Sequence, residues 1–173
     1  MKADSGLLVA FEGLDQSGKQ TQSELLRDWL TSAGRAVRLL SFPDYETVIG
    51  AEIGRALRGE RDYNADVMQL LYVAKASSIA YGEAQGLDGG WLTEMQKYLP
   101  QPDVTFLLDI APEVAARRKT VDRDKYERDL ALLARVRESY LRQASRAGWV
   151  RLDAAREPTA IGADVRSVIE KRK

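Results

Sequence analysis

Residues 12–26 read EGLDQSGKQTQSELL. Gly13, Gly18 and Lys19 stand at the spacing of a phosphate-binding loop, G-x-x-x-x-G-K-[ST], but Gln20 occupies the place of the hydroxyl residue. A Gly-rich turn at that point brings backbone N–H groups, the positive end of a helix and a Lys ammonium onto one anion. A chance Gly-rich turn would show the same letters, so the flanks decide. Before the loop, LLVAFEG (7–13) is a short apolar run of the kind that forms a strand buried on both faces. After it, residues 19–33 place Leu25, Leu26, Trp29 and Leu30 on one helical face, and Gly34 is suited to end that helix. Strand, loop and helix are all present.

Outward from the loop, the pattern repeats. VTFLLDI (104–110) reads as a second buried strand, and AVRLLSF (36–42) and WVRLDA (149–154) as weaker ones. Helices are expected over 47–58, 65–81, 127–147 and 157–171, the last opening with Glu157-Pro158. Strands alternating with helices predict an α/β fold: three layers, a parallel sheet with helices on both faces, in one domain spanning 1–173. Nothing between Pro43 and Val104 reads as a buried strand.

Composition narrows the chemistry. Lys plus Arg equals Asp plus Glu, 26 each, so no global field recruits nucleic acid or an anionic membrane. The chain has no Cys and no His, which removes thiolate nucleophiles, Cys-based zinc sites and the commonest general base. Lys, Arg, carboxylates, hydroxyls and backbone amides remain, a set suited to phosphoryl transfer, where positioning and electrostatics dominate. The start, MKADSG, carries no apolar stretch of the signal-peptide kind, and no run approaches transmembrane length, so the cytoplasm is expected.

Further stretches lie in order along the chain: SFPDYETVIGAEI, LLYVA, ASSIAYG, LPQPDVTFLLDIAPEVAARR and DRDKYERD. With FEGLDQSGKQTQ they resemble the thymidylate kinases, P-loop nucleoside monophosphate kinases that transfer the ATP γ-phosphoryl group to dTMP. The resemblance implies a five-stranded parallel core ordered 2-3-1-4-5, with MgATP and dTMP as ligands. It also implies a homodimer, to which helix 65–81 would offer an apolar face. Gly13, Leu14, Asp15, Gln16, Ser17, Gly18, Lys19, Gln20 and Thr21 would wrap the ATP phosphates. Asp15 matches the family carboxylate that faces the sugar of the monophosphate, and Phe42-Pro43 the substrate-side turn. Tyr72 stands where the family places an aromatic against thymine; Ser77 and Tyr81 match the nucleoside pocket, Tyr81 against a ribose 2′-OH.

Residues 117–129 follow DIAPEVAA (109–116) just where these kinases carry a lid. Some relatives hold a catalytic Arg within the loop, at the place of Gln16 here. The cation must then come from Arg117, Arg118, Arg123 or Lys125, with Arg118 and Arg123 favoured beside Lys19 as the catalytic set. Lys125 replaces the Arg of an Arg-x-Glu pattern and cannot make the same bidentate contact. Gln20 can give Mg²⁺ its amide oxygen or leave that place to water, since magnesium usually keeps several waters.

One part of the family pattern is missing. LLYVA (70–74) runs directly into KASSIAYG (75–82), where relatives interpose a segment on the order of thirty residues, the size of a βα unit. With it go the third strand, a substrate-binding Arg and an Asp-Arg pair near the metal. The two flanking strands would then pair directly, since unpaired buried backbone is expensive. Two readings stay open: the molecule carries residues here beyond the 173, or it is truly shortened, and an intact mass compared with 19.3 kDa separates them. The alternatives to a dTMP kinase are a kinase for another nucleoside or nucleoside monophosphate, and a catalytically impaired nucleotide-binding protein.

Overall fold

The computed structural model describes residues 6–72, 75–121 and 123–172. Three parallel strands, β1 (Val9–Glu12), β2 (Val104–Asp109) and β3 (Trp149–Asp153), form one sheet in the order β1-β2-β3. Val9 lies beside Val104, and Thr105 beside Trp149. All six residues of β2 are buried, so both faces of the sheet are covered, as its uninterrupted apolar run requires. Phe106, Leu108 and Val104 are fully buried, and Phe106 stacks on Phe11 of β1 at 5.3 Å.

The helices are α1 (Lys19–Ser32), α2 (Val48–Leu57), α3 (Ala65–Leu71), α4 (Lys75–Ala84), α5 (Gly89–Met95), α6 (Pro112–Arg118), α7 (Leu130–Gln143) and α8 (Pro158–Glu170). Their starts follow local chemistry. Thr47, Asp88 and Asp129 cap α2, α5 and α7 by accepting a backbone N–H, and Pro112 and Pro158 occupy the first turns of α6 and α8. The α1 helix packs on α8, and α4 on α7. At the end of β2, Asp109 receives Arg137 of α7 at 2.6 and 3.1 Å and Arg151 of β3 at 2.6 and 3.0 Å. Burial pushes its pKa up, but those hydrogen bonds more than offset it and hold the carboxyl below its usual value.

Four expectations change. Residues 36–42 do not form a strand; 36–41 lie exposed as irregular backbone. A strand exists only through a neighbour's hydrogen bonds, and this segment has none of a strand's partners among the described residues. Nor do 36–42 and β1 pair directly: β1 ends the sheet, and residues of both segments border one open cavity. The expected helix 65–81 is two helices, α3 and α4, with positions 73 and 74 outside the described residues. The α5 and α6 helices, each seven residues long, are too short to show a clear period in the sequence.

Candidate active site

The loop between β1 and α1 closes over the end of the sheet. Gly13 takes φ +139° and Gly18 φ +96°, and Gln16 at the apex is the one non-Gly residue with positive φ among those described. The first backbone bond within α1 runs from Gln22 to Gly18, so the amides of Lys19, Gln20 and Thr21 have no intrahelical acceptor and face the loop. The Ser17 hydroxyl is buried without a hydrogen-bond partner. The Lys19 ammonium is folded back onto the carbonyls of Gly13 and Leu14 at 2.7 and 3.0 Å and onto Asp15 at 3.4 Å. Ser17, Lys19, Gln20 and Thr21 border one cavity, and free amides, an unsatisfied hydroxyl and an ammonium are the donor types that anions accept from.

A cavity of about 1090 Å³ opens from this loop. Of the residues expected to bind the phosphates, Gly13 and Asp15 to Thr21 border it. Leu14 does not; at 2% exposure it is a core residue and contributes backbone alone. Phe42, Pro43, Tyr72, Ser77 and Tyr81 border the same cavity from the far side, so the two expected ligand sets share one space. The Phe42–Pro43 bond is cis. Tyr45 and Tyr126 join Tyr72 and Tyr81 there, Tyr81 and Tyr126 with ring centres 5.7 Å apart. Burial raises the hydroxyl pKa of all four, helped at Tyr72 and Tyr81 by Asp15 and Asp124, so each stays a neutral donor and a flat apolar face.

The lid region is pinned by its own hydrogen bonds. Glu127 is buried and accepts from Lys119 at 2.9 Å and from the amide of Asp124 at 3.0 Å; Asp124 caps the turn by accepting the amides of Tyr126 and Glu127. Burial opposes ionisation of Glu127, and the Lys119 and Asp124 bonds reverse it, leaving its pKa low. The structure separates the two favoured cations. Arg118 donates to the carbonyl of Gln16 at 2.9 Å and to that of Ala154 at 2.7 Å, tying the loop apex to the end of β3 beside the cavity. Arg123 lines a separate small cleft with Lys119 and Glu127 and does not border the main cavity. Asp122 lies outside the described residues. The Gln20 side chain donates to Glu24 at 2.9 Å, leaving its amide oxygen as the atom it can offer an ion.

The family model for thymidylate kinase matches residues 11–76 and 74–165. The chain belongs to the thymidylate kinase family. It is 33% identical to the thymidylate kinase of Schizosaccharomyces pombe over 151 positions, covering 73% of this chain and 72% of that one. It is 30% identical to that of Plasmodium falciparum over 193 positions, covering 97% and 91%. In three dimensions it superposes on a solved thymidylate kinase from Candida albicans with a TM-score of 0.84 at 24% identity, over 96% of this chain and 92% of the other. It is therefore a nucleoside monophosphate kinase of the P-loop fold. The two family-model matches meet at 74–76, where the sequence runs short.

Membership in the thymidylate kinases makes sense of the loop and the tyrosines, but one residue at the loop's base was not expected. Glu12 borders the cavity, accepts the Tyr140 hydroxyl at 3.2 Å, and is pushed up to about 7 by burial, against the opposing pull of Lys19, Tyr140 and the Ala76 amide. Its signal in the sequence was a lone carboxylate ending an otherwise apolar strand. Folded Glu12 holds its proton more tightly than the unfolded chain, so its contribution to stability is full below about 4.5 and is lost as pH rises through about 7. Unfolding of wild type and Glu12→Gln in urea at pH 5 and pH 8 measures this. Between those pH values the stability difference moves toward the variant by on the order of 2–3 kcal/mol. A pH-independent difference would mean that Glu12 titrates normally.

Proposed function

We propose that this chain transfers the γ-phosphoryl group of ATP to dTMP, giving dTDP and ADP, as a cytoplasmic homodimer. The observation that carries the reading is the single cavity joining the phosphate loop to the tyrosine-lined pocket, with Lys19 at their junction and Arg118 bordering it. A phosphate oxygen of dTMP attacks the γ-phosphorus as the bond to the bridging oxygen breaks, its electron pair leaving on ADP. No strong general base is needed, because a phosphate monoester is already anionic near neutral pH. Lys19 exchanges two neutral carbonyls for phosphate oxygens, a stronger charge-assisted bond. The Ser17 hydroxyl and the α1 amides take further oxygens, and Arg118, anchored through Gln16, stands where transferred charge accumulates. Tyr72 and its neighbours offer π-faces to a base, and Asp15 an acceptor to the sugar hydroxyl. The family supports thymine as that base.

Mg²⁺ is the ion we propose beside ATP. Among the described residues no three His, Cys, Asp or Glu side chains cluster into a resident metal site. The hard oxygens at the loop are the Gln20 amide and the Asp15 carboxylate. They fit an ion that arrives on phosphates and keeps most of its waters. When bound, it would neutralise charge shared by the β- and γ-phosphates. Restoring a hydroxyl by Gln20→Thr lowers the half-saturating Mg²⁺ concentration about 10-fold, the lower end of what changes around a metal's ligands produce. A titration of rate against Mg²⁺ that is unchanged would remove Gln20 from the metal's surroundings.

Steady-state rates with dTMP, dUMP and thymidine test the assignment. The expected order has dTMP well ahead. Preference for thymidine would make this a nucleoside kinase, and ATP binding without turnover on any of the three would end the kinase reading. The dimer is supported by exposed apolar residues on α2 and α3, namely Val48, Ile49, Val67 and Leu70. Light scattering showing a monomer at micromolar concentration would refute it.

A further inference from the structure

Glu12 stands on the cavity wall and has no part in the phosphoryl transfer described above. It ends β1 at the base of the loop, and side chains and backbone of several elements close around it. Tyr140 of α7 donates its hydroxyl to Glu12 at 3.2 Å, and the Ala76 amide of α4 donates to it as well. Lys19 of α1 acts on its charge, while the ammonium itself rests on the Gly13 and Leu14 carbonyls. On β2 its neighbour is Leu107, and the one charge of that strand, Asp109, is already met by Arg137 and Arg151. Asp15 of the loop and Tyr81 of α4 act on the same Glu12–Tyr140 pair.

In the free protein two tendencies oppose each other at this carboxyl. Burial favours the acid; Lys19 and the two hydrogen bonds favour the carboxylate. A triphosphate entering the loop shifts that balance one way only. Lys19 turns its charge onto phosphate oxygens, so its pull on Glu12 weakens. The phosphates also bring negative charge close to a carboxylate that is shielded from water. Both changes favour the neutral acid. Conversely, an ionised Glu12 repels the phosphates and competes with them for Lys19. Burial pushes the hydroxyls of Tyr140 and Tyr81 well above their usual value, so neither titrates in the same range.

We infer that Glu12 is a positioning residue for Lys19, and that it takes up a proton from solvent as ATP fills the loop. The neutral acid, still held by Tyr140, leaves Lys19 to the phosphates. This inference rests on the reading of the loop as an ATP site and adds a linkage to it. By reciprocity, ATP tightens Glu12's hold on its proton, and protonation of Glu12 tightens ATP.

Isothermal titration calorimetry of MgATP without acceptor, at pH 8 in two buffers of different ionisation heat, counts the protons taken up. At that pH the phosphates are already deprotonated and contribute none. Loss of a neighbouring opposite charge raises a carboxyl's pKa by roughly 1–3. Starting from about 7, this gives an uptake of about 0.4–0.9 proton, and an ATP affinity that falls about 5–50-fold from pH 7 to pH 9. Glu12→Gln, neutral at every pH, takes up no proton, and its affinity stays level over that range. Tyr140→Phe removes one bond that favours the carboxylate, so its uptake lies below that of wild type. Equal uptake by wild type and either variant would overturn the inference, because a merely structural Glu12 would weaken ATP alike at every pH. ATP bound to wild type without uptake would overturn it too and leave the ATP site standing. Only a failure of wild type to bind ATP would refute that reading along with this one.

Discussion

Lys19→Met leaves the chain folded and lowers dTMP phosphorylation at saturating ATP at least about 10³-fold. The fold survives because the side chain is about one-third exposed and its partners are two carbonyls and a half-exposed Asp15 that water can satisfy in its place. Such partly exposed pairs contribute little to stability, at most about 1 kcal/mol. The rate falls because charge on the transferred group grows after substrate is bound, and Lys19 is the cation carried by the loop that surrounds it. Met keeps the length and apolar stem while removing the charge. Single-turnover measurements separate the chemical step from nucleotide affinity. The loss belongs in kcat, and a variant changed only in its KM for ATP would mean that Lys19 binds without catalysing.

Gly13→Ala acts on the backbone and on both stability and activity. A Cβ at Gly13 falls 2.5 Å from the Leu108 carbonyl oxygen of β2 and 2.9 Å from Ser17 Oγ, and its φ of +139° is one that side-chain-bearing residues rarely adopt. Backbone strain of about 1–3 kcal/mol and a similar cost of overpacking give a loss on the order of 2–5 kcal/mol. The thermal midpoint falls by roughly 5–15 °C. Relief by moving the loop away from β2 displaces Ser17 and the start of α1 together, so ATP affinity drops in any protein that remains folded. Gly18→Ala is the comparison: its Cβ meets nothing within 4 Å, so only the left-handed φ of +96° resists it. A thermal midpoint and ATP affinity at Gly13 no worse than at Gly18 would show that contact with β2 does not shape the loop.

What could be read from the letters was what is local. The loop geometry needs only Gly13, Gly18 and the helix that starts at Lys19, all within one short stretch, so motif and structure agree there. The Glu157-Pro158 start of α8 likewise acts on its own next turn. Arg118 and Arg123, five residues apart, were equivalent as letters; only the fold puts one on the Gln16 carbonyl and the other in a separate cleft. Tyr45 and Tyr126 reach the cavity from a loop after the first helix and from the lid, 81 residues apart.

The sequence by itself therefore determined the phosphate loop, the alternation of strands and helices, the ammonium at Lys19 and the family. Each of these depends on residues that are neighbours along the chain or on a pattern repeated along it. Tertiary structure alone decided that AVRLLSF stays outside the sheet, that Glu12 holds its proton to about 7, and that β1 ends the sheet with an open edge. A strand is made by its neighbour's hydrogen bonds, and a carboxyl's proton is held by the solvent excluded around it. Neither the neighbour nor the surroundings are written in the residues concerned.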